Sequence, residues 1–461
     1  MAETEKRAQF GSKLGFILAS AGSAVGLGNI WKFPTKAYAC GGGTFLLIYI
    51  ALVAVLGTTV MLAEFALGRG SQKNLVAAFR KSNNRWTWIG ILGILTGFLI
   101  LCYYVQVGGW TMKYIIAYFI DTDAIYQDPS AYYLNMLGAE AFPLQSAVIY
   151  PQLFLLSTAF VVSRGIPKGI EQMSRILMPI FFFLLLTLML CACMLPGASA
   201  GVKYLLTFDF STVNASTILT ALGQAFFSLS LGMGIMSTYA SYLKKEENLV
   251  SATGIVCLLD TVVAVCCGFL IIPAVFATGI KPEIGSGFVF SAMAGVFMNI
   301  PGGTAFGIVF YFLLFFAAIT SSISILETII AVLTEELHWN RKNALTGVCI
   351  LVFGIGMFYT LSQTHMELNG IWWSLETGVQ PIAFGTALEY LTDRFLLPLA
   401  AFFLTFFVAW IWGTDAALEE STSNGTYPFR FAHIWVWLLK FAVPIAIATI
   451  MFAGLLFGIS M

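Results

Sequence analysis

Apolar runs long enough to cross about 30 Å of hydrocarbon recur along the chain at 12–34, 43–68, 88–120, 147–163, 175–196, 217–243, 250–278, 304–334, 344–361, 382–412 and 433–459. Inside a bilayer each backbone N–H and C=O must be bonded within the protein, and a run of this length meets that condition as a helix. The sequence therefore predicts an all-α integral membrane protein with eleven spans. Its composition, 59% hydrophobic and only 10% charged, excludes an ordinary soluble domain. The first run does not read as a cleaved signal peptide, because glycines interrupt it and it continues into WKFP.

Charge placement gives an orientation. With the N-terminus in the cytoplasm, inner segments hold sixteen of the 23 Lys and Arg residues, as the positive-inside rule expects. The loop after the third run has no basic residue between Lys113 and Arg164 but carries Asp121, Asp123, Asp128 and Glu140, so it faces out. Eleven spans then place the C-terminus outside. The eight Cys residues show no metal-ligand spacing with the three His and read as small core residues.

Two runs are built to break. Residues 20–34 read SAGSAVGLGNIWKFP, and the sixth run contains Gln224 followed by AFFSLSLGMG. Glycine costs a helix interior roughly 1 kcal/mol relative to alanine. Small residues also serve close helix packing, but here each cluster has polar flanks and each opens one half of the first ten spans. That placement matches two inverted repeats of five spans with a binding site at their interface. Unwound turns free N–H groups that suit a carboxylate and carbonyls that suit a small cation.

The segments GFILASAGSAVGLGNIWKFPTKAYACGGGTFLLIY, LAEFALGRG, GQAFFSLSLGMGIMSTYASY and FFAAITSSISILET resemble the neurotransmitter:sodium symporters, most closely their bacterial amino-acid transporters. The resemblance implies an inverted five-plus-five repeat with discontinuous first and sixth helices. Spans 1–5 would occupy 1–200, spans 6–10 would occupy 201–415, and 416–461 would hold a cytoplasmic loop and the extra span 11. It also implies two sodium ions. The first would be held by the Ala24 carbonyl, Asn29, Ser228, Asp260 and the substrate carboxylate. The second would take the carbonyls of Gly22, Val25 and Ala317 with the hydroxyls of Thr320 and Ser321.

Two of these assignments have support from the residues themselves. Thr320, Ser321 and Ser322 form a polar triplet in a run otherwise made of Phe, Leu, Ile and Ala. Asp260 is a carboxylate in mid-membrane, which costs at least about 2.5 kcal/mol and marks a functional position. Some bacterial relatives carry a fixed Glu one turn later, where this chain has Ala264. Asp260 is thus expected to supply the negative charge itself, without chloride, and to take up a proton in the sodium-free return state.

Where amine-transporting relatives have Asp, this chain has Gly26, which leaves room for an α-amino acid. Its carboxylate would meet the Leu27 and Gly28 N–H groups and the Tyr104 hydroxyl. Its ammonium would face Ser230 and the carbonyls of Ala24, Phe227 and Ser228. Val25, Ile100, Phe227, Met233, Ser322 and Ile325 would line the side-chain pocket, whose apolar character disfavours charged side chains. The expected substrate is a hydrophobic or aromatic L-amino acid; the alternative is a small neutral one such as alanine or glycine.

Phe227 and Tyr104 would lid the site. Outside them Lys32 would pair with an acidic residue before the tenth span; ungapped counting selects Glu389 first and Asp393 second. On the cytoplasmic side Arg7 would pair with Glu335. The resemblance further implies a multi-pass protein of a prokaryotic inner membrane, a monomer or loose dimer, with no nucleic-acid partner. No ATP motif is present, and GLGNIW lacks the third glycine of a nucleotide fingerprint. An intramembrane enzyme is not expected, since neither HExxH nor a pair of intramembrane aspartates is present.

Overall fold

The protein is described by a computed structural model covering residues 8–138, 144–280, 287–363, 368–374 and 378–457. Nine helices among these residues are long and apolar enough to cross a membrane. In chain order they are Gly43–Ser71 (span 2), Asn84–Ile120 (3), Leu144–Ser163 (4), Ile166–Cys193 (5), Leu249–Thr278 (7), Gly303–Glu336 (8), Arg341–Leu361 (9), Phe384–Ser421 (10) and Ala432–Gly454 (11). Lys13–Ala24 and Gly28–Ala39 form span 1, bent by 53° at the break. The sixth run consists of Ala215–Ser228 and Ile235–Ala240, each too short to cross alone.

Local chemistry sets these boundaries. Side chains of Ser12, Asn74, Asn214, Asn248 and Asn340 accept from backbone N–H groups three residues on, which satisfies donors that a helix start leaves free. In the sixth run Ser230, Gly232 and Gly234 have φ of 53°, 86° and 72°, and a right-handed helix cannot pass through three left-handed residues. In span 1 the cap residue Val25 leaves the helical region with ψ of 100°.

Span 8 lies at the centre, with 72% of its apolar window buried. It packs along span 3, against spans 4 and 5 and against the inner half of span 1. Spans 5 and 11 are peripheral, each with only 28% buried, and span 11 leaves Ile445 and Phe452 exposed to lipid. Span 2 meets Ile235–Ala240 of the sixth run backbone to backbone: a Cβ at Gly68 would stand 1.9 Å from the Ser237 carbonyl oxygen. One departure from an all-helical chain is the antiparallel hairpin of Asn369–Ser374 and Gly378–Ala383 between spans 9 and 10. Outside the hydrocarbon the backbone has water available, so strand pairing there carries no penalty.

Candidate substrate and ion site

The two breaks face each other and are bonded directly. Asn29 Nδ2 donates to Ser228 Oγ at 2.8 Å, and Ser230 Oγ donates to the Ser23 carbonyl at 3.0 Å. Asp260, fully buried on span 7, joins this junction. It accepts from Asn29 Nδ2 at 2.8 Å, from Ser228 Oγ at 2.8 and 2.9 Å, and from the Tyr49 hydroxyl at 3.2 Å. Each of its carboxylate oxygens is therefore hydrogen-bonded, as a buried charge requires. Rotating the Asn29 amide would turn its oxygen toward Asp260 and Ser228, converting the cluster into a set of hard oxygen donors suited to a small cation. Tyr49 was not anticipated; its signal in the sequence is a phenol inside the run TFLLIYIALV.

The residues expected at a second cation also converge. Ser321 Oγ lies 3.4 Å from the Gly22 carbonyl oxygen and 3.3 Å from that of Val25, bridging span 8 to the break in span 1. Thr320 Oγ1 lies 3.2 Å from the Ala317 carbonyl oxygen on the same helix face.

Between these clusters is a small cavity lined by Ala24, Gly26, Leu27, Gly28, Ile100, Tyr104, Phe227, Ser228, Ser230, Met233 and Ile325, together with Ser23, Asn29 and Ser321. Its apolar end is formed by Ile100, Phe227, Met233 and Ile325, while its polar end is the unwound backbone. The Tyr104 hydroxyl is 3.5 Å from Leu27 N. A Cβ at Gly26 would lie 3.0 Å from Ser321 Oγ and 3.2 Å from the Tyr104 hydroxyl, and one at Gly28 would lie 2.6 Å from the Phe227 ring. Glycine at both positions thus leaves room for the lid to close.

Two expected pocket residues lie elsewhere. Ser322 is turned toward span 4, where its hydroxyl meets Thr158 Oγ1 at 2.9 Å. Successive helix residues are about 100° apart, so Ser321 and Ser322 cannot both face the break. Val25 presents its carbonyl to Ser321, and its side chain is not among the lining groups.

Above the cavity Lys32 Nζ bonds Asp393 Oδ2 at 2.7 Å, which corrects the choice of Glu389. Glu389 instead accepts from the Tyr359 hydroxyl at 2.6 Å. The Lys32 ammonium sits 3.8 Å from the centroid of the Phe227 ring, held deep over the lid. There it meets the carboxylate one turn further in, which also accepts from Tyr103 at 3.1 Å. Lys36 Nζ donates to Gln224 Oε1 at 2.8 Å, and Gln224 Nε2 donates to the Gly28 carbonyl at 3.2 Å, tying Gly28–Ala39 of span 1 to Ala215–Ser228 of the sixth run.

At the end of the molecule where the described chain begins, more contacts are present than sequence reasoning anticipated. Phe10 N donates to the Tyr242 carbonyl at 3.0 Å, while Gly11 N and Ser12 Oγ donate to Glu171 at 2.6 and 2.8 Å. Tyr242 donates to Glu327 at 3.0 Å, and Arg341 pairs with the same carboxylate. Arg7 lies outside the described residues. Its expected partner Glu335 accepts at 3.0 Å from both the backbone N and Nδ2 of Asn74.

Comparison with known proteins agrees with this architecture. The sodium:neurotransmitter symporter family model matches residues 7–130 and 147–458. An uncharacterised sodium-dependent transporter of Bacillus subtilis, YhdH, is 35% identical over 451 residues, 96% of each chain. Another from Methanocaldococcus jannaschii is 32% identical over 464 residues, covering 97% of this chain and 90% of the relative. Among solved structures, MhsT in complex with L-phenylalanine superposes with a TM-score of 0.86 at 34% identity, covering 97% of this chain and 100% of that one. A match over nearly the whole length, with both helix breaks present, identifies the chain as a sodium-dependent multi-pass membrane transporter belonging to the sodium:neurotransmitter symporter family.

Proposed function

We propose that this transporter carries hydrophobic and aromatic L-amino acids together with two sodium ions, independently of chloride. The observation that carries the reading is a cavity with a neutral, apolar far end and the Asn29–Ser228–Asp260 cluster at its near end. An α-amino acid suits it: the Leu27 and Gly28 N–H groups and the Tyr104 hydroxyl, which the Leu27 N–H reaches at 3.5 Å, take the carboxylate, and the Ala24 and Phe227 carbonyls take the ammonium. The side chain lies among Ile100, Phe227, Met233 and Ile325, with Met233 flexible enough to fit several shapes. The phenylalanine bound by the similar MhsT supports this choice.

Asn29, Ser228, Asp260 and the Ala24 carbonyl hold the first sodium beside the substrate carboxylate. Gly22, Val25, Ala317, Thr320 and Ser321 hold the second. Asp260 balances the first ion's charge, a role that chloride would otherwise take. Transport proceeds by alternating access, with spans 1, 2, 6 and 7 moving against the rest; Lys32–Asp393 closes the outer side and the Phe10–Tyr242 contact the inner side. The N-terminus faces the cytoplasm in this reading.

The test is uptake of labelled leucine, tyrosine and tryptophan into proteoliposomes under an inward sodium gradient, with potassium as the control. Sodium-dependent accumulation of at least one is the expected result. Competition by alanine or glycine but by none of the three would refute the substrate assignment.

A further inference from the structure

The hairpin between spans 9 and 10 has two unlike faces. Antiparallel register puts Ile371 opposite Pro381 and Trp373 opposite Val379, and directly opposed residues share a face. On that face Ile371 is 75%, Trp373 47% and Val379 68% exposed. The described strands, NGIWWS and GVQPIA, carry no charged residue. The other face packs inward. A Cβ at Gly370 would stand 2.6 Å from Ala387 Cβ, and Phe384 N donates to the Leu368 carbonyl at 2.8 Å, so the hairpin and the start of span 10 are held together.

Trp372, on the inward face, stacks edge-on against Tyr390 at 5.2 Å, and Arg394 lies 3.5 Å over the Tyr390 ring. Arg394 adjoins Asp393, the partner of Lys32. The first strand also packs on span 11, the peripheral helix that leaves Ile445 and Phe452 to lipid. An uncharged apolar face carrying a tryptophan, at the outer ends of spans 9 and 10 and beside a lipid-facing helix, has the chemistry of a membrane–water interface.

We propose that Ile371, Trp373, Val379 and Pro381 dock on the interfacial zone of the outer leaflet, and that this docking steadies the outer end of span 10 so that Asp393 stays within reach of Lys32. The occupant is the bilayer surface. The second half of the inference rests on reading Lys32–Asp393 as the outer gate.

The test uses the full-length protein in phosphatidylcholine nanodiscs brominated near the top of the acyl chains. The tryptophan emission that Trp373→Phe removes is expected to be quenched by brominated lipid and spared by aqueous iodide. Quenching by iodide alone would give the face to water; shielding from both in a sample that runs as a dimer would give it to a second copy, and either overturns the proposal. The Ile371→Ser/Val379→Ser variant is expected to lose lipid quenching of Trp373 and to release bound substrate outward severalfold faster. Lost quenching with unchanged release would overturn the link to the gate, and sodium-driven uptake, measured separately, would still report on the transport reading.

Discussion

Removing the Lys32 ammonium tests the outer gate most directly. At an N–O distance of 2.7 Å two unit charges attract by about 6 kcal/mol in an effective dielectric of about 20. Desolvation and side-chain ordering offset most of that. Exposed pairs are worth about 0–1 kcal/mol and breaking a buried pair costs about 3–5; with side chains 24% and 12% exposed, about 2 kcal/mol is the reasonable net value. The ammonium over Phe227 adds about 0.5–1 kcal/mol. At about 1.4 kcal/mol per tenfold, Lys32→Met should speed outward release of bound substrate by about 60–140-fold. Asp393→Asn should speed it less, because the cation over the ring remains. Release of labelled substrate into unlabelled medium measures both rates, and a double-mutant cycle isolates the pair, with an expected coupling of about 2 kcal/mol. Coupling at the exposed-pair level of about 0.5 kcal/mol or below would show that the contact does not latch the site, and the gating argument would fail.

Glu389→Gln should leave outward release within about twofold of wild type, since its partner is Tyr359; an effect as large as that of Asp393→Asn would reinstate Glu389 in the gate. Tyr49→Phe deletes one hydrogen bond to the Asp260 carboxylate and should alter sodium affinity by about tenfold or more, the scale of about 1.5–3 kcal/mol for a bond to a charged group, as read from the sodium dependence of substrate binding. Replacing chloride by gluconate should leave uptake unchanged, whereas Asp260→Asn should abolish it or make it chloride-dependent; strict chloride dependence of the wild type would contradict the role given to Asp260. Gly28→Ala places a methyl 2.6 Å from the Phe227 ring and should cut uptake at least tenfold while the protein still folds, checked by thermal unfolding in detergent.

Much of the architecture is legible in the sequence because lipid removes alternatives. A long apolar run in a bilayer has few structures open to it, so glycine and serine clusters at 22–28 and 228–234 stand out as breaks. Asp260 is legible for the same reason: a carboxylate in mid-membrane needs partners, and Asn29 and Ser228 sit in the two breaks. The partners that escaped notice carry weaker signals. Tyr49 looks like one more bulky residue in an apolar run, and nothing in its own neighbourhood reveals that it meets span 7 from 211 residues away.

Errors of register had a different origin. Ser321 and Ser322 are chemically alike, and only the rotation of span 8 decides that one faces the break at Gly22 and Val25 while its neighbour turns to Thr158. Glu389 and Asp393 pose the same problem one turn apart. Ungapped counting back from WIWG gives a position along the chain and not the direction of its side chain, and residues Leu391–Leu396 form a π-helical turn, which changes the angle between successive side chains. Glu389 precedes that turn and meets span 9, whereas Asp393 lies within it, toward Tyr103 and Lys32. The Lys32 side of the pair is also on a π-helical turn, Gly28–Lys32. Lys32 and Asp393 thus both sit on π-helical backbone, where side-chain direction depends on packing more than on count. A substitution that restored α-helical geometry on either side should turn its charge away from the partner. The pair is therefore specified by two local helix defects as much as by the charges they carry.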